Sequence, residues 1–298
     1  MPLTGELCLV PLLSHLFKIG DKTMTTPTPL NNDQIITLAP AAGSFEPIDG
    51  VSKRYSFVPT MSAVDLLRDA GWFPVHAEQS AVRVARREGY QRHLIRFAKD
   101  GLSFGGERVD LVLFNSHDRG CAFKLIASVW RQICGNGLMV ASEFANFSHK
   151  HIGFKPDDFV HSAGEIASAA GTIAERVDEM KVIEMTPDER NVFAQAAHSL
   201  VYDEPEQAPI IPQQLLEERR YDDKGRDLWT CYNVVQENAM RGGLKGTTRG
   251  SNGRLRRMTT RPVKALGRNI KLNQALWFLT EKMAELKQSD ANLSPIAT

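Results

Sequence analysis

The sequence predicts an α+β fold: an antiparallel β-sheet with a strand-strand-strand-helix core, packed by helices and followed by a helical C-terminal part. Two observations support this class. Between residues 108 and 153, three runs rich in β-branched and apolar residues are separated by turn-forming residues. After Pro156 the apolar residues recur at the helical period instead of at every second position. Because three antiparallel strands cannot shield both of their faces, we expect the following helix to cover one of them.

The segment before this core predicts shorter elements. Apolar and aromatic runs indicate strands at 35–38 and 55–58. A helix is expected to begin at Ser62, with an acid three residues later as a capping box, and to end before Gly71. Residues 83–99 interleave basic and aromatic side chains, which is typical of a nucleic-acid-binding strand. A strand with one solvated face would give the same pattern, so both interpretations stay open.

The core itself divides into three strand regions and a helix. Residues 108–114 predict the first strand, which the turn-forming residues 115–120 end. Residues 121–134 predict a long second strand, and a Gly-Asn-Gly turn at 135–137 leads into the third region, 138–153. The helical stripe that follows runs from about 156 to 180. Further helices are expected from the capping box at Thr186 to about 200, and at about 213–220, 227–240 and 269–286.

These elements suggest four parts along the chain. The first lacks a basic leader and has an internal Met24, which favours an over-extended start or a disordered tail over a signal peptide. The proline-rich stretch 203–213 reads as a stiff linker between the two folded parts. The predicted parts are a tail at 1–33, an α+β core domain at 34–202, a helical region at 203–288 and a disordered end at 289–298.

The stretch between Arg241 and Lys271 is the most unusual part of the sequence. It holds ten Lys or Arg residues and no Asp or Glu. The whole chain has 36 basic and 35 acidic residues, so 36 less these ten leaves 26 against 35, a sum of −9 outside the stretch. Its glycines and its few apolar residues before Pro262 predict a mobile cationic loop at 241–271, typical of an element that binds a polyanion. The alternative is a solvated connector whose charge only aids solubility.

Composition and motifs narrow the class of protein. With 298 residues, 42% hydrophobic and 24% charged, the chain resembles an ordinary soluble protein with a packed core. No apolar run reaches the length of about 18 residues that a membrane helix needs. Neither a G-x-S-x-G elbow nor a P-loop is present, and no cofactor is expected. The four cysteines form no C-x-x-C pair, which argues against a zinc ribbon or a redox motif: Cys8, Cys121, Cys134 and Cys231.

One group of residues could hold a metal ion. His149 and His151 lie on the same face of a predicted strand, and His117 and Asp118 lie in a turn that could come close to them. Histidine and carboxylate together suit a divalent transition metal such as zinc or manganese. The structural alternative is that Asp118 bonds its own backbone in the turn and that the two later histidines lie on a phosphate-facing edge.

Several blocks of the sequence resemble a phage/plasmid-like protein family of unknown function. They are the NSHD turn, WRQICGNGL, the His-x-His region before a long helix, DLWTCYNVVQENAMRGG and TTRPVKALGRNIKLNQALW. The similarity covers about residues 45–285 and implies a mobile-element protein of the bacterial cytoplasm, without an established reaction. The strand-strand-strand-helix order also resembles the core of the single-strand annealing recombinases, the superfamily that includes phage Red-beta. That second likeness concerns topology, which does not fix function.

Together these features predict a nucleic-acid-binding protein, with single-stranded DNA as its ligand, homo-oligomeric and acting in strand annealing or recombination. The first alternative is an accessory factor that counters a host defence by protein-protein contact. The second is a metal-dependent nuclease centred on the histidine group. The residues expected to bind nucleic acid are Arg83, Arg86, Arg87, Arg92, Arg241, Lys245, Arg249, Arg254, Arg256, Arg257, Arg261, Lys264 and Arg268.

Overall fold

The structure is a computed structural model that describes residues 27–51, 55, 57–82, 84–131, 136–139, 146–149, 155–249 and 253–293. Its helices are α1 (Asn32–Leu38), α2 (Thr60–Asp69), α3 (Pro156–Ser168), α4 (Ala170–Val182), α5 (Pro187–Val201), α6 (Leu228–Arg241) and α7 (Leu266–Leu293). Its strands are β1 (Phe73–Gln79), β2 (His93–Ala98), β3 (Ser103–Phe104), β4 (Glu107–Asn115), β5 (Phe123–Arg131), β6 (Asn136–Met139), β7 (Asn146–His149), β8 (Lys245–Arg249) and β9 (Leu255–Thr259).

Seven strands form one antiparallel sheet. Its order is β1-β2-β4-β5-β6, with β3 paired to β4 and β7 paired to β5. Strands β4 and β5 pair from Glu107↔Arg131 to Phe114↔Lys124, so the first strand predicted from the sequence is the centre of the sheet. The predicted α+β class, with helices packed on an antiparallel sheet, is confirmed.

The helices cover one face of this sheet. Phe123 of β5 meets Phe159 of α3, with ring centroids 5.1 Å apart, and the stripe of α4 continues the same core. In the C-terminal part Trp229, Tyr232 and Trp277 are buried in that core. Phe278, beside Trp277 on α7, is 56% exposed because it lies on the solvent side of the helix.

The opposite face of the sheet carries a smaller apolar cluster. Leu94, Val112 and Ile126, from three adjacent strands, pack against the start of α7. The contact is made by Leu266 and Ile270. Beside this cluster the second face is polar, and α7 covers only part of it. The start of α7 is therefore the one described element that packs on this face with apolar side chains.

Buried polar contacts join the sheet to the C-terminal helices. Glu107 at the start of β4 accepts a hydrogen bond from the Trp229 indole at 3.1 Å and pairs with Lys181 at 3.1 Å. At the end of β5, Arg131 forms an ion pair with Asp223 at 3.3 Å. These contacts cross the position near residue 203 where the sequence suggests a boundary between two parts. The domain division itself stays a prediction.

Two short elements near the N-terminus differ from the sequence prediction. The expected strand at 35–38 is part of helix α1, because the Asn31 and Gln34 side chains each accept a hydrogen bond from the other residue's backbone N–H. Helix α2 begins at Thr60, not at Ser62, and follows Pro59 without a side-chain cap. Residues 55, 57 and 58 form no strand among the described residues.

The central region also has more breaks than expected. The predicted helix at 156–180 is two helices that meet at Ala169, in a Ser-Ala-Ala-Gly run where small side chains pack weakly. Asn136 and Gly137 belong to strand β6 and are not turn residues, since Asn136 pairs with Arg131. The second predicted strand is shorter, at Phe123–Arg131, and the helix expected at 213–220 is a 3₁₀ turn at Pro212–Leu216. In the described part of the chain, no helix combines the length and apolar character that crossing a bilayer requires.

Candidate nucleic-acid interface

The basic stretch contains a two-stranded antiparallel ribbon, where the sequence prediction was a mobile loop. Strands β8 and β9 pair from Lys245↔Thr259 to Arg249↔Leu255. Because side chains alternate between the two faces of a strand, Lys245, Arg249 and Arg257 project from one face of this ribbon. Between them lies Leu255, which is 65% exposed. The ribbon therefore presents a cationic face with one apolar side chain.

The other face of the ribbon packs on the protein at its base. The Thr247 N–H donates to the Pro209 carbonyl at 2.8 Å. A Cβ on Gly246 would lie 1.9 Å from that same carbonyl oxygen, so only glycine allows this approach. The Gly243 N–H also donates to the Thr260 carbonyl at 2.9 Å, which closes the ribbon where it leaves α6. These contacts fix the base of the ribbon.

Four cations of the ribbon are exposed and are not neutralised by acids. Lys245, Arg249, Arg256 and Arg257 form no ion pair with any Asp or Glu of the described residues. These four cations therefore keep their whole charge for an incoming polyanion, and they do not pay the desolvation cost that buried charges carry. Arg254, just before β9, is exposed as well.

A cavity of about 330 Å³ lies beside the ribbon. Its wall includes Met258 and Thr260 from the ribbon, Tyr202 after α5, and residues 261–265, which lead into α7. Three predicted binding residues line it, and no lining residue is acidic. These three are Arg261, Lys264 and Arg268, all exposed. The Arg268 guanidinium also donates to the Val201 carbonyl at 2.6 Å, which anchors one cation at the rim.

A second set of cations lies near the turn at residues 115–120. Arg86 is exposed, Arg87 lies 3.6 Å from the Asp118 carboxylate, and the Arg92 Nε donates to the Gly120 carbonyl at 3.1 Å. A Cβ on Gly267 would lie 3.3 Å from Arg92 Nη1, so Arg92 touches the start of α7. This second set is thereby adjacent to the helix that follows the ribbon. Arg83 lies outside the described residues.

Arg241 has a local role. Its guanidinium lies against the buried Glu237 carboxylate, one turn earlier on α6, and Arg220 pairs with the same carboxylate at 2.7 Å. Burial alone would raise the pKa of Glu237, but the hydrogen bonds from these two arginines outweigh it and hold the pKa below its usual range. Arg241 is thus engaged in an ion-pair network at the end of α6, unlike the cations of the ribbon.

Of the four residues predicted as metal ligands, His117 and Asp118 have their side chains described, and both contact neighbouring protein groups. His117 is fully buried, and its Nε2 lies 3.2 Å from Thr60 Oγ1. Asp118 accepts a hydrogen bond from the Gly120 N–H at 2.8 Å, which is the turn chemistry expected of Asp. Among the described residues no group of three metal-ligating side chains is found. The side chain of His149 and all of His151 lie outside the described residues, so the combination of the four stays untested.

The sequence contains a hairpin pattern that predicts this ribbon, and the loop prediction did not take it into account. Two five-residue runs, KGTTR and LRRMT, flank a segment that contains Ser-Asn-Gly, and Asn-Gly between such runs is a strong hairpin signal. The many arginines made this hairpin pattern hard to recognise, because charged residues are poor indicators of a strand. The cavity, in contrast, joins residues from three separate parts of the chain and has no local signal.

Comparison with known proteins places the chain in a family. It is 31% identical over 255 residues to the UPF0380 protein YfjQ of Escherichia coli (strain K12), covering 86% of this chain and 92% of that protein. The UPF0380 protein YafZ of the same organism is 30% identical over 255 residues, with the same coverage. No solved structure matches the chain. The likeness to annealing recombinases gains no support from these relatives. Residues 47–277 match the family described as Domain of unknown function (DUF932), and the chain therefore belongs to that family.

Proposed function

We propose that the protein binds nucleic acid, with single-stranded DNA as its ligand, through the cationic ribbon β8–β9 and the cavity beside it. The observation that carries this proposal is the row of exposed cations on a ribbon whose base is anchored. Polyanion binding draws its free energy largely from the counterions that such exposed cations release from the ligand. The relatives share 86% of the chain but their names state no activity, so the proposal rests on geometry alone.

The chemistry of the ribbon favours contacts to the backbone over readout of bases. Its described side chains are cations, threonines, one leucine and one methionine. Arg, Lys and Thr contact phosphate oxygens without regard to sequence, whereas base readout relies mainly on bidentate Asn, Gln or Arg contacts in a groove. The exposed Leu255 gives an apolar surface that an unstacked base can contact. We therefore expect binding with little sequence preference.

The cavity beside the ribbon extends this surface. A volume of about 330 Å³ is at the small end of the range of ligand pockets, large enough for one nucleotide unit. Apolar walls from Met258 and Val263 suit a base, and the cations at the rim suit its phosphate. Binding of successive protomers along a strand, in a bacterial mobile element, would then support strand annealing without an ATP site.

Salt dependence of binding tests the proposal. If about six of the cations meet phosphates of a single strand, the slope of log K against log salt is near −4. Replacing Lys245, Arg249 and Arg257 with Ala removes the three cations of the ribbon's cationic face and should flatten the slope by about two. A matched control removes three exposed cations elsewhere, with the same change in net charge. These control residues are Arg176, Lys224 and Lys282.

The assay uses labelled single-stranded and double-stranded DNA, with and without a divalent metal. We expect the control variant to bind single-stranded DNA as the parent does and the ribbon variant to bind it weakly. Equal binding by the parent and the ribbon variant at moderate salt would overturn the proposal and favour an accessory factor acting by protein-protein contact. Metal-dependent cleavage would instead favour the nuclease alternative.

A further inference from the structure

A polar cleft lies on the second face of the central sheet, next to the small apolar cluster under α7. Its volume is about 190 Å³, and it is lined by residues of β1, β2, β4 and β5 together with Met139 and Asn269. His76 of β1 pairs with Arg96 of β2, so these two polar side chains project side by side from neighbouring strands on the same face of the sheet. The ribbon contributes no residue to this cleft, so it is separate from the interface proposed above.

Of the cleft's lining residues, Arg96 lies beside a buried ion pair of β4. Asp110 is fully buried and accepts hydrogen bonds from Arg108 on both of its oxygens, including one of 2.9 Å to Oδ2. Arg96 lies 3.5 Å from the same Oδ2, an ion-pair distance without a hydrogen bond. Because Asp110 is already matched by Arg108, the Arg96 charge has no hydrogen-bonded counterion.

Two polar groups at the cleft are buried and have no hydrogen-bond partner among the described residues. They are the Nε and Nη1 of Arg96 and the hydroxyl of Ser128, which is 1% exposed. A buried polar group without a partner is costly, so such groups in a folded protein call for an explanation. Both residues line the same cavity, where a ligand with acceptor oxygens would satisfy them together.

The Arg96 guanidinium is held in place by an aromatic ring. Its central carbon lies 3.4 Å from the ring centroid of Trp130, a cation-π contact that fixes the plane of the guanidinium. Burial lowers the pKa of Arg96 to about 10, with Asp110 opposing that shift, so the group remains charged at neutral pH. A charged, oriented and incompletely hydrogen-bonded arginine is a site suited to carboxylate or phosphate.

We propose that this cleft binds a small oxyanion, a carboxylate or phosphate group, between the Arg96 guanidinium and the Ser128 hydroxyl. The volume of about 190 Å³ limits the ligand to a small molecule or one terminal group, since drug-sized ligands need about 300 Å³ or more. The strands that carry Arg96 and Ser128 are interior strands of the sheet, so the two donors are held rigidly relative to each other.

Glu78 is the group in the cleft that opposes an anion. It projects from β1 beside Arg96, and burial raises its pKa, with the Arg96 charge opposing that shift. An arriving oxyanion competes with the Glu78 carboxylate for the same guanidinium. Removing the charge of Glu78 without changing its shape should therefore strengthen binding, whereas removing the Ser128 hydroxyl should weaken it. These two opposite effects on affinity distinguish a specific site from non-specific attraction of anions to surface cations.

The test measures thermal stabilisation and calorimetric binding of the full chain with three probes. Inorganic phosphate and malonate represent free oxyanions, and a 5′-phosphorylated dinucleotide represents a nucleic-acid end. We expect saturable binding by the parent, about tenfold weaker binding by Ser128→Ala, and several-fold tighter binding by Glu78→Gln. Arg96→Lys, which keeps the charge but loses the planar fork, should bind weakly if it folds.

The ribbon variant with Lys245, Arg249 and Arg257 replaced by Ala serves as the control that separates this site from the DNA interface. It should bind phosphate and malonate as the parent does. Tighter binding of the dinucleotide than of both free oxyanions would assign the site to a nucleic-acid end, and the reverse to a small molecule. Absence of saturable binding of all three probes, or equal affinity in the parent, Ser128→Ala and Glu78→Gln, would overturn the proposal.

Discussion

Acid should destabilise the protein through one buried histidine. His93 at the start of β2 is fully buried. Its Nδ1 lies 3.0 Å from the Gln91 carbonyl and its Nε2 lies 2.7 Å from Thr60 Oγ1. Because Nδ1–H donates to the carbonyl, Nε2 accepts the proton of the Thr60 hydroxyl, and the ring is neutral. Burial lowers the pKa of His93 from its ordinary value of 6.5 to about 4, against the opposing effects of the Gln91 hydrogen bond and the Asp118 charge.

The direction of this pH effect on the free energy of unfolding follows from proton uptake by the folded and the unfolded state. Between pH 6.5 and pH 4 the unfolded chain protonates His93 and the folded protein does not, so the free energy of unfolding falls as the pH falls. The difference between the two pKa values corresponds to about 3 kcal/mol in total. Between pH 7 and pH 5 the expected loss from this residue is about 2 kcal/mol.

Urea unfolding followed by circular dichroism at the two pH values measures this loss. His93→Gln removes the titrating group, so its free energy of unfolding should fall by about 2 kcal/mol less than that of the parent. His161→Gln, at an exposed position on α3, should keep the loss seen in the parent. Equal losses in the parent and His93→Gln would refute the reasoning. A nuclear magnetic resonance titration that places the pKa of His93 near 6.5 in the folded parent would refute it independently.

Three further substitutions test the packing described above. Gly246→Ala should destabilise the ribbon base by about 1–3 kcal/mol and weaken DNA binding, because its Cβ would lie 1.9 Å from the Pro209 carbonyl; thermal unfolding and a binding titration measure both. Phe159→Ala should lower the free energy of unfolding by about 3–5 kcal/mol in urea, since it empties the core between α3 and β5. Glu107→Ala should cost about 1–3 kcal/mol, because it leaves a buried indole N–H without its acceptor. A loss below about 1 kcal/mol for either core substitution would contradict the corresponding packing.

The sequence predicts the centre of the fold better than its edges. Strand β4 is a continuous apolar and β-branched run, and Pro156 and Pro187 each begin a helix, so local composition and structure agree there. Strand β1 was missed because FPVHAEQ contains Pro74 and three polar residues. Such a strand is tolerated at the edge of a sheet, where a proline removes no ladder hydrogen bond, and β1 is an edge strand with a bulge at that proline.

The proposed interface was predictable in composition but not in shape. A run of cations without any acid is visible in the sequence, and the structure leaves most of the described ones exposed. Which cations find a local partner depends on tertiary contacts, as with Arg241 against Glu237 and Arg268 against the Val201 carbonyl. Those two cations differ from Arg256 and Arg257 in surroundings, not in residue type. A spacing argument along the chain cannot separate them.

In the polar cleft, the role of the polar side chains that alternate along one strand becomes clear only when the neighbouring strands are known. In β4, Arg108 and Asp110 alternate with Val109 and Leu111, and the apolar members suffice to predict a strand. Their polar neighbours point to the second face, where β2 and β5 bring Arg96 and Ser128 beside them. Pairing across strands thus gathers charges that lie far apart in sequence, and it leaves Arg96 without a hydrogen-bonded counterion. A fully apolar second face would have packed α7 along its whole length, so the polar residues keep this part of the sheet open to a ligand.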